Sequence, residues 1–94
     1  MDDEVLHITV KGRVQGVGFR FFTEALARRM GIAGWVRNLP SGDVEILARV
    51  GGHQKADFLA ELRNGPALSR VTAVDVRTVP GGEPPPRTGF IIRR

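Results

Sequence analysis

Leu6, Ile8 and Val10 alternate with His7, Thr9 and Lys11, the period of a strand with one buried face. The glycine-punctuated stretch Gly12-Arg13-Val14-Gln15-Gly16-Val17-Gly18 then interrupts any regular element. From Phe19 the period changes: Phe22, Ala25, Leu26 and Met30 share one side of a helix. Arg28 and Arg29 suit its negative pole, and Gly31 is placed to stop it. A second strand is predicted from Gly34 through Asn38, with Trp35 and Val36 on opposite faces. Leu39-Pro40-Ser41-Gly42 reads as a turn. Val44, Ile46, Ala48 and Val50 then alternate with Glu45, Leu47 and Arg49, completing a hairpin. After Gly51-Gly52 a second helix runs from about Gln54 to Asn64, with Ala56, Phe58, Leu59 and Leu62 on its core side and Gly65-Pro66 at its end. Val71 to Val79 is a further strand, irregular near its start because Val71 and Val74 are out of phase. Pro80-Gly81-Gly82-Glu83-Pro84-Pro85-Pro86 must be a loop, and Phe90-Ile91-Ile92-Arg93 is a short strand for a sheet edge. Strand, helix, strand, strand, helix, strand describes an α+β domain, two helices on one face of a four- to five-stranded, mainly antiparallel sheet. The other face is left polar or free to bind.

The 94 residues leave room for one small domain, expected to span residues 1–94, with a thin core. A chain that is 41% hydrophobic and 26% charged is neither disordered nor fibrous. No apolar run approaches the roughly 20 residues of a membrane span, and Met1 to Val10 has the wrong order of charge for a signal peptide. With no cysteine, disulfides, thiolate metal sites and a cysteine nucleophile are excluded, and a cytoplasmic location is expected. His7 and His53 stand in no ligand motif, so no metal is expected. Fourteen Lys and Arg against ten Asp and Glu give +4, and twelve of the fourteen are arginine, a planar fork of donors that stays charged at any working pH. That surplus permits an anionic partner, although the basic residues are scattered.

The bridge between the first strand and the first helix carries the chemistry. Gly12, Gly16 and Gly18 surround Val14, Gln15 and Val17, and Arg20 follows at once. Glycines let successive N–H groups turn inward as a nest, the first helical turn adds unpaired N–H groups and a positive dipole end, and an arginine adds charge and paired donors. Together they make a socket for a tetrahedral dianion. The spacing does not match G-x-G-x-x-G, and the Gly-Lys-Ser/Thr ending of a Walker A loop is absent. A plain glycine turn beside a surface arginine remains open from these residues alone. Asn38, at a strand end, either shapes its own turn or reaches the same cleft, where an amide can hold and aim a water without taking its proton. Glu24, Asp43, Glu45, His7 and His53 form no acid–base pair near the loop, so the chemistry needs no strong general base.

Gly12-Arg13-Val14-Gln15-Gly16-Val17-Gly18-Phe19-Arg20, then Gly34-Trp35-Val36-Arg37-Asn38 and Gly42-Asp43-Val44-Glu45, resemble the acylphosphatase family in order and spacing. The resemblance runs from about Leu6 to Arg93. It implies a ferredoxin-like α/β sandwich that hydrolyses the carboxyl–phosphate bond of an acyl phosphate, releasing inorganic phosphate, without metal or other cofactor. It also implies that Arg20 is the phosphate-binding arginine, Asn38 the water-orienting asparagine, and Gln15, Gly16, Val17, Gly18 and Phe19, with Arg20, the phosphate cradle. Phe21, where many relatives have tyrosine, Ser41, where aspartate is common, and the long proline run depart from the family pattern. A second reading is a module handling carbamoyl phosphate or another small anion with a partner protein, since the same domain type resembles the start of larger hydrogenase-maturation carbamoyltransferases. Nucleic-acid binding shares the topology, but the chain has no tyrosine and its aromatics fall mostly beside the loop or on helix and edge segments. A monomer with no nucleic-acid or membrane partner is expected.

Overall fold

A computed structural model describes residues 3–80, 86 and 88–94. Among them the chain forms β1 (Asp3–Arg13), α1 (Phe19–Met30), β2 (Ala33–Asn38), β3 (Val44–Gly51), α2 (Lys55–Asn64), β4 (Arg70–Thr78) and β5 (Phe90–Ile92), the order that the residue pattern predicts. The proline-rich loop expected at 80–86 falls largely outside the described residues. The strands lie in the order β4-β1-β3-β2-β5. Every pairing is antiparallel except that of β5, which runs parallel to β2 at the edge. This is the ferredoxin-like βαββαβ arrangement with one short strand added.

One phase of the strands builds the core. Leu6, Ile8, Val10, Val36, Val44, Ile46, Ala48 and Val50 are buried, together with Phe19, Leu26 and Ala27 of α1 and Phe58, Leu59 and Leu62 of α2. Both helices therefore cover the same face of the sheet. Two expected core positions are corrected: Ala25 and Ala56 are exposed. An alanine methyl buries too little surface to set a helix's rotation. In α1 the rotation follows Phe19 and Leu26, which brings Thr23 and Ala27 inward. The Thr23 hydroxyl donates to the Phe19 carbonyl at 2.9 Å, so its burial leaves no polar atom unpaired.

Gly12 also needs correction, because it belongs to β1 rather than to the loop beyond. The β1–β4 ladder slips there: Lys11 pairs with Ala73 but Gly12 with Val71, leaving Thr72 as the extra residue. This bulge is why Val71 and Val74 are out of phase. At Gly12 φ is +120°, and a Cβ would stand 2.1 Å from the Arg70 carbonyl oxygen. Replacing Gly12 with alanine is expected to destabilise the protein by about 2–4 kcal/mol through strain and overpacking, read as a lower urea midpoint.

The uncovered face of the sheet carries Trp35, with the guanidinium carbons of Arg37 and Arg93 at 5.2 and 4.8 Å from the centre of its ring system. Beside it Glu45 accepts hydrogen bonds from His7 Nε2 at 2.7 Å and Arg37 Nε at 2.5 Å. Burial raises the pKa of Glu45, but the hydrogen bonds from His7 and Arg37 and their charge outweigh it and hold the carboxyl below its ordinary value. A carboxyl held lower in the folded than in the unfolded chain contributes stability above its ordinary value of 4.5, and that contribution is lost as pH falls through the folded value. Glu45→Gln should therefore lower stability at pH 7 and flatten its fall below about pH 4.5, measured by urea unfolding across that range.

Candidate active site

Strand directions bring the site together. β1 and β2 both pair antiparallel with β3, so they point the same way and their C-terminal ends share one end of the sheet. The glycine loop leaves β1 there, and Asn38 closes β2 there. β5 runs parallel to β2, so Arg93 arrives at the same end, where its carbonyl accepts a hydrogen bond from Arg20 Nη1. At 3.5 Å that bond is weak and leaves the guanidinium available for other partners.

Within the loop the sign of φ alternates. Gly16 at +75° and Gly18 at +80° are left-handed, while Gln15 and Val17 have negative φ. A Cβ on Gly16 or Gly18 would meet nothing within 4 Å, so glycine is required there by conformation and not by space. Alternation of this kind forms an anion nest. Gly18 is also the N-cap of α1, with no side-chain cap, and no acidic residue occupies the first turn. The first backbone bond of the helix runs from the Phe22 N–H to the Gly18 carbonyl at 2.9 Å. The N–H groups of Phe19, Arg20 and Phe21 precede it, with the positive end of the dipole behind them.

A cleft of about 110 Å³ opens at this point, lined by Val14, Gly16, Gly18, Phe19, Arg20, Phe21 and Asn38. Arg20 and Asn38, singled out from sequence, therefore share one cavity with the glycines and the helix start. No carboxylate or imidazole stands among the described residues that line it. Among the described residues no group of three or more His, Cys, Asp or Glu could hold a metal ion. The cleft pairs fixed N–H donors and a guanidinium with one carboxamide, a donor-rich surface for a phosphoryl group.

Two residues expected in the cradle, Gln15 and Val17, do not line the cleft. The Gln15 side chain is turned away, Nε2 donating to the carbonyls of Leu39 and Asp43, both at 2.8 Å. It clamps the loop to the β2–β3 turn, whose shape is set by bonds from the Leu39 N–H to the Asp43 carbonyl (2.9 Å) and from the Gly42 N–H to the Leu39 carbonyl (3.0 Å). The Asn38 carboxamide takes no part in those bonds. Val17 packs half-buried against the core. Val14, buried in the wall, and Phe21, at the rim, are lining residues that the sequence reading did not place in the site. For Phe21 the available signal was an aromatic beside Arg20 that falls off the apolar stripe of α1.

The Acylphosphatase family model matches residues 6–92. The chain belongs to the acylphosphatase family. It is 51% identical over 79 residues to an acylphosphatase of Nitrobacter hamburgensis, covering 84% of this chain and 80% of that protein. Against an Archaeoglobus fulgidus acylphosphatase it is 51% identical over 73 residues, covering 77% and 81%. The crystal structure of acylphosphatase from Bacillus subtilis superposes with a TM-score of 0.87 at 38% identity, over 96% of this chain and 98% of that one. Its activity is that of the family: hydrolysis of an acyl phosphate to a carboxylate and inorganic phosphate. A Thermococcus kodakarensis HypF structure is also similar, with a TM-score of 0.81 at 28% identity, but the match covers 97% of this chain and only 12% of that one. The reading as a module that handles carbamoyl phosphate or another small anion with a partner protein is the less supported of the two. No helix among the described residues is long and apolar enough to cross a membrane.

Proposed function

We propose that the cleft between the glycine loop and Asn38 is the acylphosphatase active site, with Arg20 and the amides of residues 15–20 holding the phosphoryl group. The observation that carries the assignment is the shared lining of one small cleft by Arg20, Asn38 and an uncapped helix start. An acyl phosphate already has a good leaving group, so the reaction needs positioning and charge neutralisation more than covalent help. The nest, the first-turn N–H groups and Arg20 supply both without reorganising, which favours the charge distribution of the transition state. Asn38 accepts a hydrogen bond from water and aims it at phosphorus in line with the acyl oxygen. As the new P–O bond forms, the bond to the acyl oxygen breaks and the carboxylate leaves with the electron pair. The water proton passes to a nonbridging phosphoryl oxygen, a route that suits a cleft whose described lining holds no carboxylate or imidazole. No metal or other cofactor takes part in this route. Phosphate release from benzoyl and carbamoyl phosphate in the presence of a chelator tests it: turnover should persist, and activity abolished by chelation would overturn it.

The working unit is a single domain and a monomer, acting in the cytoplasm without nucleic-acid or membrane partners. Support for the single domain comes from a core cluster that joins the sheet to both helices. Light scattering after gel filtration tests the oligomeric state, and a dimer mass would correct it.

A further inference from the structure

The cleft is too small to enclose a whole acyl phosphate with a sizeable acyl group. Pockets that swallow drug-sized ligands run from about 300 to 1,000 Å³, against about 110 Å³ here. The phosphoryl group fills the cup, and the acyl group must lie against its rim. Of the lining residues, Val14 and Phe19 are buried in the core, Gly16 and Gly18 offer backbone, and Arg20 and Asn38 are polar. Phe21 is the one exposed apolar side chain among the described lining residues, 69% accessible while still forming part of the wall.

Its neighbours show that the ring is not there for the fold. Phe19 and Phe22 pack on each other with centroids 5.7 Å apart and belong to the core or lie against it, whereas Phe21 does not. Phenylalanine is only a middling helix former. In the first turn an acidic residue would stabilise the helix more, but it would also repel a phosphate. An aromatic at the mouth of the cup offers apolar surface without that repulsion.

We propose that Phe21 is a specificity-determining residue, a platform for the acyl group that favours acyl phosphates bearing an apolar group of about phenyl size over acetyl or carbamoyl phosphate. This rests on the cleft being the acylphosphatase site and names the substrate class that it takes. An aromatic contact of this kind discriminates by roughly 2- to 12-fold beyond simple burial.

Steady-state kinetics with benzoyl, acetyl and carbamoyl phosphate on the full chain, with Phe21→Ala and Phe21→Tyr beside it, tests the proposal. The unmodified protein should have the highest kcat/KM for benzoyl phosphate. Phe21→Ala should lower the benzoyl-to-acetyl ratio of kcat/KM about tenfold, chiefly through KM for benzoyl phosphate. Phe21→Tyr, which keeps the ring, should hold the ratio within twofold, and inorganic phosphate should inhibit all three proteins alike. A ratio unmoved by Phe21→Ala, or a preference of the unmodified protein for carbamoyl or acetyl phosphate, would overturn the platform role while leaving the active-site assignment standing. Failure of the unmodified protein to hydrolyse any of the three would instead overturn the assignment itself. Because Phe21 is exposed, the alanine variant loses no core contact and its folding is not at issue.

Discussion

Replacing Arg20 with alanine is expected to lower kcat/KM for an acyl phosphate by about 10²–10³-fold, roughly 3–4 kcal/mol of transition-state stabilisation, and to weaken inhibition by inorganic phosphate at the same time. The expectation follows from where the charge sits. The cleft has a single cationic side chain among its described lining residues, and the backbone N–H groups at the start of α1 add to the positive field. A guanidinium pairs two donors with two phosphoryl oxygens, which an ammonium cannot reproduce, so Arg20→Lys should recover only part of the loss. The fold should survive, since Arg20 is half-buried and its weak bond to the Arg93 carbonyl adds little. Kinetics and phosphate inhibition together check this. Near-normal turnover in Arg20→Ala would remove the residue from the site.

Asn38→Ala should behave differently. An amide that aims water contributes when the nucleophile attacks and little when phosphate merely binds. The variant should therefore lose about 10²-fold or more in kcat, by analogy with a removed oxyanion donor, with a phosphate inhibition constant changed by no more than a few-fold. If inhibition by phosphate weakened in step with kcat, Asn38 would be a binding residue instead. Loss of structure is not expected to confuse the result, because the β2–β3 turn is held by Gln15 and by its own backbone bonds rather than by Asn38.

Much of the fold could be read in advance where large side chains keep a period. Leu6, Ile8 and Val10, or Phe58, Leu59 and Leu62, leave the chain one face to bury, and the structure buries it. Ala25 and Ala56 misled because a methyl group fits either side of a helix at little cost. Gly12 misled for another reason: a glycine required by close backbone approach looks, in sequence, like a glycine required by a turn. The phase slip at Val71 was the visible trace of that bulge, but its partner strand could not be named from it. At the site, the pairing of Arg20 with Asn38 depends on β1 and β2 pointing the same way across β3, which spacing along the chain does not encode. Gln15 was placed in the cradle, yet its partners are main-chain carbonyls of a distant turn, and carbonyls leave no sequence signal. Phe21 shows in sequence as an aromatic off the apolar stripe of α1 and as a departure from the family pattern, but its meaning depends on the size of the cavity beside it.

The account depends on a phosphoryl group sitting in the cup at the start of α1, and titration of the amide-labelled protein with inorganic phosphate, followed by ¹⁵N–¹H correlation spectra, tests that directly. Saturable shifts should concentrate at the backbone amides of Gly16 to Phe21 and at the side-chain amide of Asn38. Saturable shifts centred instead on the uncovered sheet face, around His7, Trp35 and Arg37, with the glycine-loop amides unmoved, would contradict it.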